Sequence, residues 1–240
     1  MKPMVRFSIF LALASAFAAS AAIADDAKPI RHLVYNFTVT LTSDVAQQNY
    51  SGTSNASGGT NDRGQIVVDV VSVQPDTGLV VRVSENARGA RSAEPAMCVT
   101  YGTGQLICDS SKKVNEEEYA LLRLLGRNFI NRAEIDAKNH WHYGTDTSDG
   151  SESNDYTING DRDGVLSVNF QRELKVRGPQ GYTADTQGTL SYNEKMSLPV
   201  SESEETVTRA QTGESYNRLD QQISFSLVSD SMAPQAAAAH

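Results

Sequence analysis

Residues 115–129 read Asn-Glu-Glu-Glu-Tyr-Ala-Leu-Leu-Arg-Leu-Leu-Gly-Arg-Asn-Phe and form the one stretch after the N-terminal leader that the pattern predicts as a long helix. Asn115 suits the N-cap position, and the three glutamates after it suit the first turn because the helix dipole favours negative charge there. An apolar face repeats at helical spacing and comprises Leu121, Leu122, Leu125 and Phe129. This face needs an apolar cover, so the helix is expected to pack against the rest of the chain.

The segments on both sides of the helix alternate between apolar and polar residues, which is typical of strands with one buried face. The clearest examples are 32–41 and 164–176, and a turn with Pro and Gly joins two more at 65–73 and 79–85. About ten such strands are present, and a sheet of that size must curl to shield its apolar side. The predicted fold is mainly β: a large curved antiparallel sheet, a half-barrel or a barrel, with the helix packed on or in its concave face.

Two local features refine the strands. The adjacent Val70 and Val71 move the apolar positions from odd to even, which predicts a β-bulge that leaves Ile66, Val68 and Val70 on one side. Residues 43–64 are rich in Ser, Thr, Asn, Gln and Gly, and this composition fits either a solvated strand or a long loop.

The N-terminus has the order of a secretory signal. Lys2 and Arg6 precede an apolar run at 7–22, and Ala-Ile-Ala at 22–24 offers a cleavage site before Asp25. We predict a signal peptide at 1–24, one domain at 25–230 and a disordered tail at 231–240. An uncleaved membrane anchor is the alternative for the leader. The protein is accordingly expected in the periplasm or outside the cell.

The chain carries a formal net charge of -8. A surface of this sign repels phosphate backbones, so nucleic acid is not among the expected partners. The partners that remain are an apolar small molecule or lipid, and a protein of the cell envelope.

Cys98 and Cys108 are the only cysteines in the sequence and flank a segment that is nearly symmetric about Thr103. A hairpin centred there sets the two cysteines opposite each other, which suits a cross-strand disulfide in an oxidising compartment. A redox-active or metal-binding pair is the alternative. The spacing is not Cys-x-x-Cys, however, and no histidine lies nearby in the sequence.

His140 and His142 lie two residues apart on a predicted strand, so both rings should project from one face, as two metal ligands on a strand do. Asp146 and Asp149 are the nearest residues in the sequence that could add a third ligand. Two edge histidines on either side of a core tryptophan, Trp141, explain the same pattern. No metal site is predicted, and a secreted hydrolase or metal enzyme that uses this pair is kept as an alternative function.

No sequence motif identifies a reaction. The chain has no Gly-x-Ser-x-Gly elbow, no free thiol once the disulfide forms, and too few histidines to activate a particular serine. Residues 159–164 match the first half of a calcium-binding loop, but its twelfth position falls on Phe170, and a turn rich in Asp and Asn explains the same residues. We therefore predict no catalytic residue and no cofactor.

The concave face of the predicted sheet is the remaining functional feature. Its apolar side chains either form a filled core or enclose a cavity for an acyl chain or another apolar molecule. The candidate ligand contacts are Leu121, Leu122, Leu125, Phe129 and Trp141. The first hypothesis is an exported soluble binding protein; an outer-membrane β-barrel is the second, because amphipathic strands of this length also suit one.

An export signal, successive amphipathic antiparallel strands over 33–227 and a helix against the concave face make up a layout that resembles the periplasmic lipoprotein-carrier family, whose barrel is unclosed. The resemblance is one of architecture, with no family motif matched residue by residue. It implies transient binding of acyl chains within the cell envelope.

Overall fold

The structure is a computed structural model that describes residues 28–49, 52–74, 78–87, 95–101, 106–109, 111–112, 114–125, 135–179, 181–212 and 215–232. The predicted signal peptide, Phe129 and residues 233–240 of the predicted tail lie outside these ranges. The described residues form eleven strands and one helix. In chain order these are β1 (Arg31–Asn49), β2 (Gly52–Gln74), β3 (Gly78–Ala87), β4 (Ala96–Thr100), β5 (Leu106–Cys108), α1 (Glu116–Leu125), β6 (His140–Asp146), β7 (Gly150–Arg162), β8 (Val165–Val176), β9 (Tyr182–Asn193), β10 (Leu198–Thr212) and β11 (Ser215–Asp230).

All eleven strands belong to one antiparallel sheet with the order β5-β4-β3-β2-β1-β11-β10-β9-β8-β7-β6. The first and last long strands, β1 and β11, pair in the middle and so join the two halves of the chain. β5 and β6 are the two edges, and the sheet is therefore unclosed. This architecture confirms the predicted fold class.

The single described helix shows that the sheet is curved. α1 contacts β3, β4 and β5 as well as β10. In the sheet order β3 and β10 are four strand spacings apart, which is about 19 Å on a flat sheet. A ten-residue helix is only about 15 Å long. The sheet therefore bends round α1, which lies on its concave face.

Asn115 occupies the predicted N-cap position of α1. The Asn115 carbonyl accepts the first helical bond from Tyr119 N–H at 2.9 Å, and the Asn115 N–H donates to the Glu118 carboxylate at 2.8 Å. The described helix, Glu116–Leu125, is shorter than the predicted helix at 115–129, and residues 126–129 lie outside the described ranges.

The predicted bulge and the predicted cysteine pairing are confirmed, and the structure decides between the two alternatives left open for 43–64. The pairing of β2 with β3 shifts between Val70 and Ser72, which is the predicted bulge. The Ser-, Thr- and Gly-rich residues 43–64 are strand, not loop, apart from the two at 50–51 outside the described ranges. Cys98 lies opposite Cys108, and the two form a disulfide.

One cluster of buried apolar residues fills one end of the concave face. We call it the closed end and define it by Leu33, Tyr35, Val68, Leu166, Leu190 and Leu198, which are at most 2% exposed. Leu121, Leu122 and Leu125 of α1 belong to the same cluster, so the predicted apolar face of the helix is buried. The Tyr35 hydroxyl is satisfied there by a hydrogen bond of 3.0 Å to the Pro199 carbonyl.

Candidate functional site

A cavity of about 1060 Å³ lies on the concave face beyond the closed end, between α1 and the sheet. Its volume is at the upper limit of the range typical of ligand sites, about 300–1,000 Å³. We call this region of the concave face the open end. Its defining sheet residues are Arg172, Leu174, Ala184, Thr186, Thr206, Thr208 and Leu219.

Four polar side chains lie next to one another across the floor of the cavity, because the strand register aligns them. The register sets Asn154 of β7 opposite Arg172 of β8. It then sets Arg172 opposite Thr186 of β9, and Thr186 opposite Thr206 of β10. We call these four residues the polar row. Arg172 Nη2 donates to Thr186 Oγ1 at 3.3 Å, and the hydroxyls of Thr186 and Thr206 are hydrogen-bonded at 2.9 Å.

A buried carboxyl group lies beside the polar row. Glu204 is 5% exposed, and its Oε2 is 3.7 Å from Nη2 of Arg172. Burial raises the pKa of Glu204 above its ordinary value, although the positive charges of Arg172 and Arg123 oppose this effect. The site therefore holds an acid whose ionisation is disfavoured by burial and supported by two arginines.

A second ion pair crosses the cavity from the helix to the sheet. Arg123 Nη2 of α1 donates to Glu152 Oε1 of β7 at 2.6 Å, and Asn154 Nδ2 donates to the same oxygen at 3.1 Å. Burial acts to raise the pKa of Glu152, but Arg123, Asn154 and Arg172 outweigh it, so the pKa is below its ordinary value. Glu152 is accordingly ionised, and its bond to Arg123 connects α1 with the floor of the cavity.

An apolar surface borders the polar row on the side away from the closed end. Leu174 lies two residues beyond Arg172 on β8, and its partner across the strands is Ala184 of β9. Leu219 of β11 continues this line after Thr208. We call Leu174, Ala184 and Leu219 the apolar row. Alternation along the strands thus places an apolar strip directly beside a polar one.

The helix presents a different face to each end of the sheet. Its leucines pack into the closed end, whereas Glu116, Tyr119, Ala120 and Arg123 line the cavity. These four positions follow the spacing of one helical face. Sequence reasoning missed them because it considered only the leucine-rich face.

The predicted ligand contacts lie in the core. Leu121, Leu122 and Leu125 belong to the buried cluster, as does Trp141, which stacks on Tyr156 with ring centroids 5.0 Å apart. None of the four is among the residues that line the cavity. Phe129 lies outside the described residues, and the role of all five in ligand binding stays a prediction.

The two candidate metal ligands project from one face, as expected. His140 Nε2 and His142 Nδ1 are 3.3 and 3.0 Å from the same oxygen, Oδ1 of Asp155. Asp146 pairs with Arg177 at 2.7 Å instead of turning to the histidines. Within the described ranges, no three or more His, Cys, Asp or Glu side chains are arranged to hold a metal ion.

Three carboxyl groups are buried where the N-terminus of α1 meets β3. Glu85, Glu117 and Glu118 are at most 9% exposed, and Asn115 Nδ2 donates to Glu85 Oε2 at 3.0 Å. Burial raises the pKa of Glu117 to about 8, and a hydrogen bond to Glu85 acts in the same direction. Burial likewise raises the pKa of Glu118 to about 7. Burial at this contact therefore disfavours the ionised forms of Glu117 and Glu118.

In the part of the chain that the structure describes, no helix has the length and apolar character needed to cross a bilayer. The disulfide between Cys98 and Cys108 is compatible with an exported protein. No protein-family model matches the sequence, and no curated protein is significantly similar to it.

Proposed function

We propose that this protein is an exported binding protein that holds an amphiphilic ligand in the cavity at the open end. The apolar part of the ligand lies on the apolar row, and its polar end meets the polar row. The observation that carries the proposal is the position of these two rows, side by side in one cavity on a face whose other end is a filled core.

The polar row refines the ligand class expected from the sequence. A purely apolar molecule would cover Arg172 without offering its guanidinium group a hydrogen bond, and burying a charged group in that way is unfavourable. A chain with a polar end avoids this cost. Binding of acyl chains is also what the resemblance in layout to the periplasmic lipoprotein-carrier family implies.

Export to the periplasm or the medium belongs to the same proposal. The leader at 1–24 has the charge, apolar run and small residues of a secretory signal. The disulfide supports this location, because such bonds persist in oxidising compartments.

Titration of the purified mature protein with 12-(9-anthroyloxy)stearate, followed by fluorescence, tests the proposed function. We expect saturable binding that Ala184→Phe weakens by at least about tenfold, because a phenyl group fills the apolar row. Gln187→Phe is the matched control: it adds the same group on β9 at an exposed position and should bind the probe as the wild type does. Absence of saturable binding, or equal binding by both variants, would reject the proposal.

A further inference from the structure

Arg172 uses only one of its three guanidinium nitrogens in contacts with the described residues. These contacts run from Nη2 to Thr186 Oγ1 at 3.3 Å and to Glu204 Oε2 at 3.7 Å. The side chain is 21% exposed and lines the cavity. Its Nε and Nη1 donors therefore remain available to a molecule bound there.

Arg123 approaches the same floor from the helix. Its described contact is the bond from Nη2 to Glu152, and its side chain is 18% exposed. The positive charges of Arg123 and Arg172 both act on Glu152 and on Glu204. Two guanidinium groups, one from the helix and one from the sheet, thus meet at the polar row.

Three buried or half-buried acids lie near these arginines: Glu152 and Glu204 line the cavity, and Glu202, which is 6% exposed, lines a small adjoining pocket with both arginines. Glu152 is matched by Arg123 at 2.6 Å. Glu204 is the remaining partner of Arg172, but the pair is long at 3.7 Å, and burial disfavours the ionised form of this carboxyl. Glu116, the third acid of the lining, is exposed at the first turn of α1. Of the two arginines that line the cavity, Arg172 is therefore the one with the longer ion pair, at 3.7 Å against 2.6 Å for Arg123.

We propose that the polar row and Arg123 bind an oxyanion, a carboxylate or a phosphate, at the end of an alkyl chain that lies on the apolar row. This inference rests on the proposed function and names the head group of its ligand. The planar fork of an arginine matches the paired oxygens of both groups. The hydroxyls of Thr186 and Thr206 lie next to the fork; one of them donates to the other, and the second can donate to a further ligand oxygen.

Calorimetric titration of the wild-type mature protein with four probes of equal chain length tests this inference. The probes are dodecanoate, dodecyl phosphate, dodecanol and dodecyltrimethylammonium; the three charged probes are used below their critical micelle concentrations and dodecanol below its solubility limit. We expect at least one oxyanion to bind about tenfold to a hundredfold more tightly than dodecanol, the range typical of charge-assisted hydrogen bonds. The tighter of the two oxyanions then identifies the head group.

The failures of the two proposals are distinguishable. If dodecanol or the ammonium probe binds as tightly as both oxyanions, the cavity binds alkyl chains without any preference for an oxyanion head group, and the inference is wrong. If none of the four probes binds, both the proposed function and the inference that rests on it are rejected.

Substitutions of Arg172 and of its neighbours test whether this side chain causes the preference for an oxyanion head group. R172Q should remove the preference for the oxyanion and leave the affinity for dodecanol unchanged, which shows that the cavity is intact. R172Q/E204Q, which leaves no buried charge without its partner, should behave in the same way even if R172Q alone folds poorly.

E204Q should keep or strengthen the preference for the oxyanion, because it removes a competing carboxylate. R209Q, a half-exposed arginine of β10 paired with Asp185, is the control and should keep the preference. Retention of the preference by both R172Q and R172Q/E204Q would overturn the assignment.

Discussion

The closed and open ends of the concave face are built by the same strands, but their inward side chains differ. β8 changes from Leu166 to Arg172 along its length, β9 from Leu190 to Thr186, and β10 from Leu198 to Thr206. The apolar residues join one buried cluster, and the polar ones line a cavity. Alternation along a strand thus fixes which face a side chain occupies, whereas its chemistry decides whether that face becomes core or site.

The helix marks the boundary between the two ends. Leu121 is fully buried in the closed end, and Tyr119, two residues earlier, is 42% exposed at the cavity. Substitutions at these two positions, which lie on one helical turn, can therefore compare the stability contributions of the closed end and the open end.

Leu121→Asp should have the largest effect, because it places an unpaired charge in the apolar cluster. We expect the free energy of unfolding to fall by more than about 4 kcal/mol, enough to unfold many domains of this size. Urea denaturation followed by circular dichroism measures the change. Tyr119→Asp is the matched control and should cost no more than about 1 kcal/mol. Equal losses would show that the closed end is not the core of the domain.

Glu117→Gln tests the carboxyl groups that dock the helix between the two ends. The pKa of Glu117 is raised from 4.5 to about 8, so between these values the folded chain holds a proton that the unfolded chain releases. The free energy of unfolding contributed by this group is therefore greatest at low pH and falls as pH rises from about 5 to 8.

Glutamine donates to Glu85 at every pH, so Glu117→Gln should flatten this dependence and stabilise the protein at pH 8 by about 1 kcal/mol, a value discounted for solvent screening. Melting temperatures across pH 5–8 measure it. Glu116→Gln, at an exposed position of the same turn, should leave the dependence unchanged. A wild-type stability that rises with pH over this range would contradict the account.

Thr206→Val tests the polar row, and its expected effect is no larger than that of Glu117→Gln. It removes the hydroxyl bonded to Thr186 at 2.9 Å and should cost about 1 kcal/mol of unfolding free energy, as is typical of one hydrogen bond. Thr208→Val, the next inward position of β10, is the control and should change stability by less. Thermal unfolding measures the stability of both variants. A larger loss for Thr208→Val would contradict the claim that the residues of the polar row form one connected hydrogen-bonded unit.

Local patterns predicted much of the fold. The near symmetry about Thr103 placed Cys98 opposite Cys108, and the Val70–Val71 pair located the bulge. Strand alternation indicated one large sheet with an apolar face. These features depend on neighbours in the sequence, so the sequence alone is enough to find them.

The polar row could not be predicted in the same way. It depends on the register of four strands, which brings Asn154 and Thr206 into one line although 52 positions separate them in the sequence. One signal was present: Arg172 occupies an inward position in the otherwise apolar alternation of 164–176. A charged residue on a buried face marks a site more reliably than the leucines of the helix do.

The most direct test of the account is methyl NMR of the protein labelled with ¹³C at its leucine methyl groups and titrated with dodecanoate. We predict that the resonances of Leu174 and Leu219 at the open end shift as the ligand saturates, while those of Leu121, Leu166 and Leu190 at the closed end stay in place. Shifts centred on the closed-end leucines, or no shift at any leucine, would contradict the claim that the open end is the binding cavity.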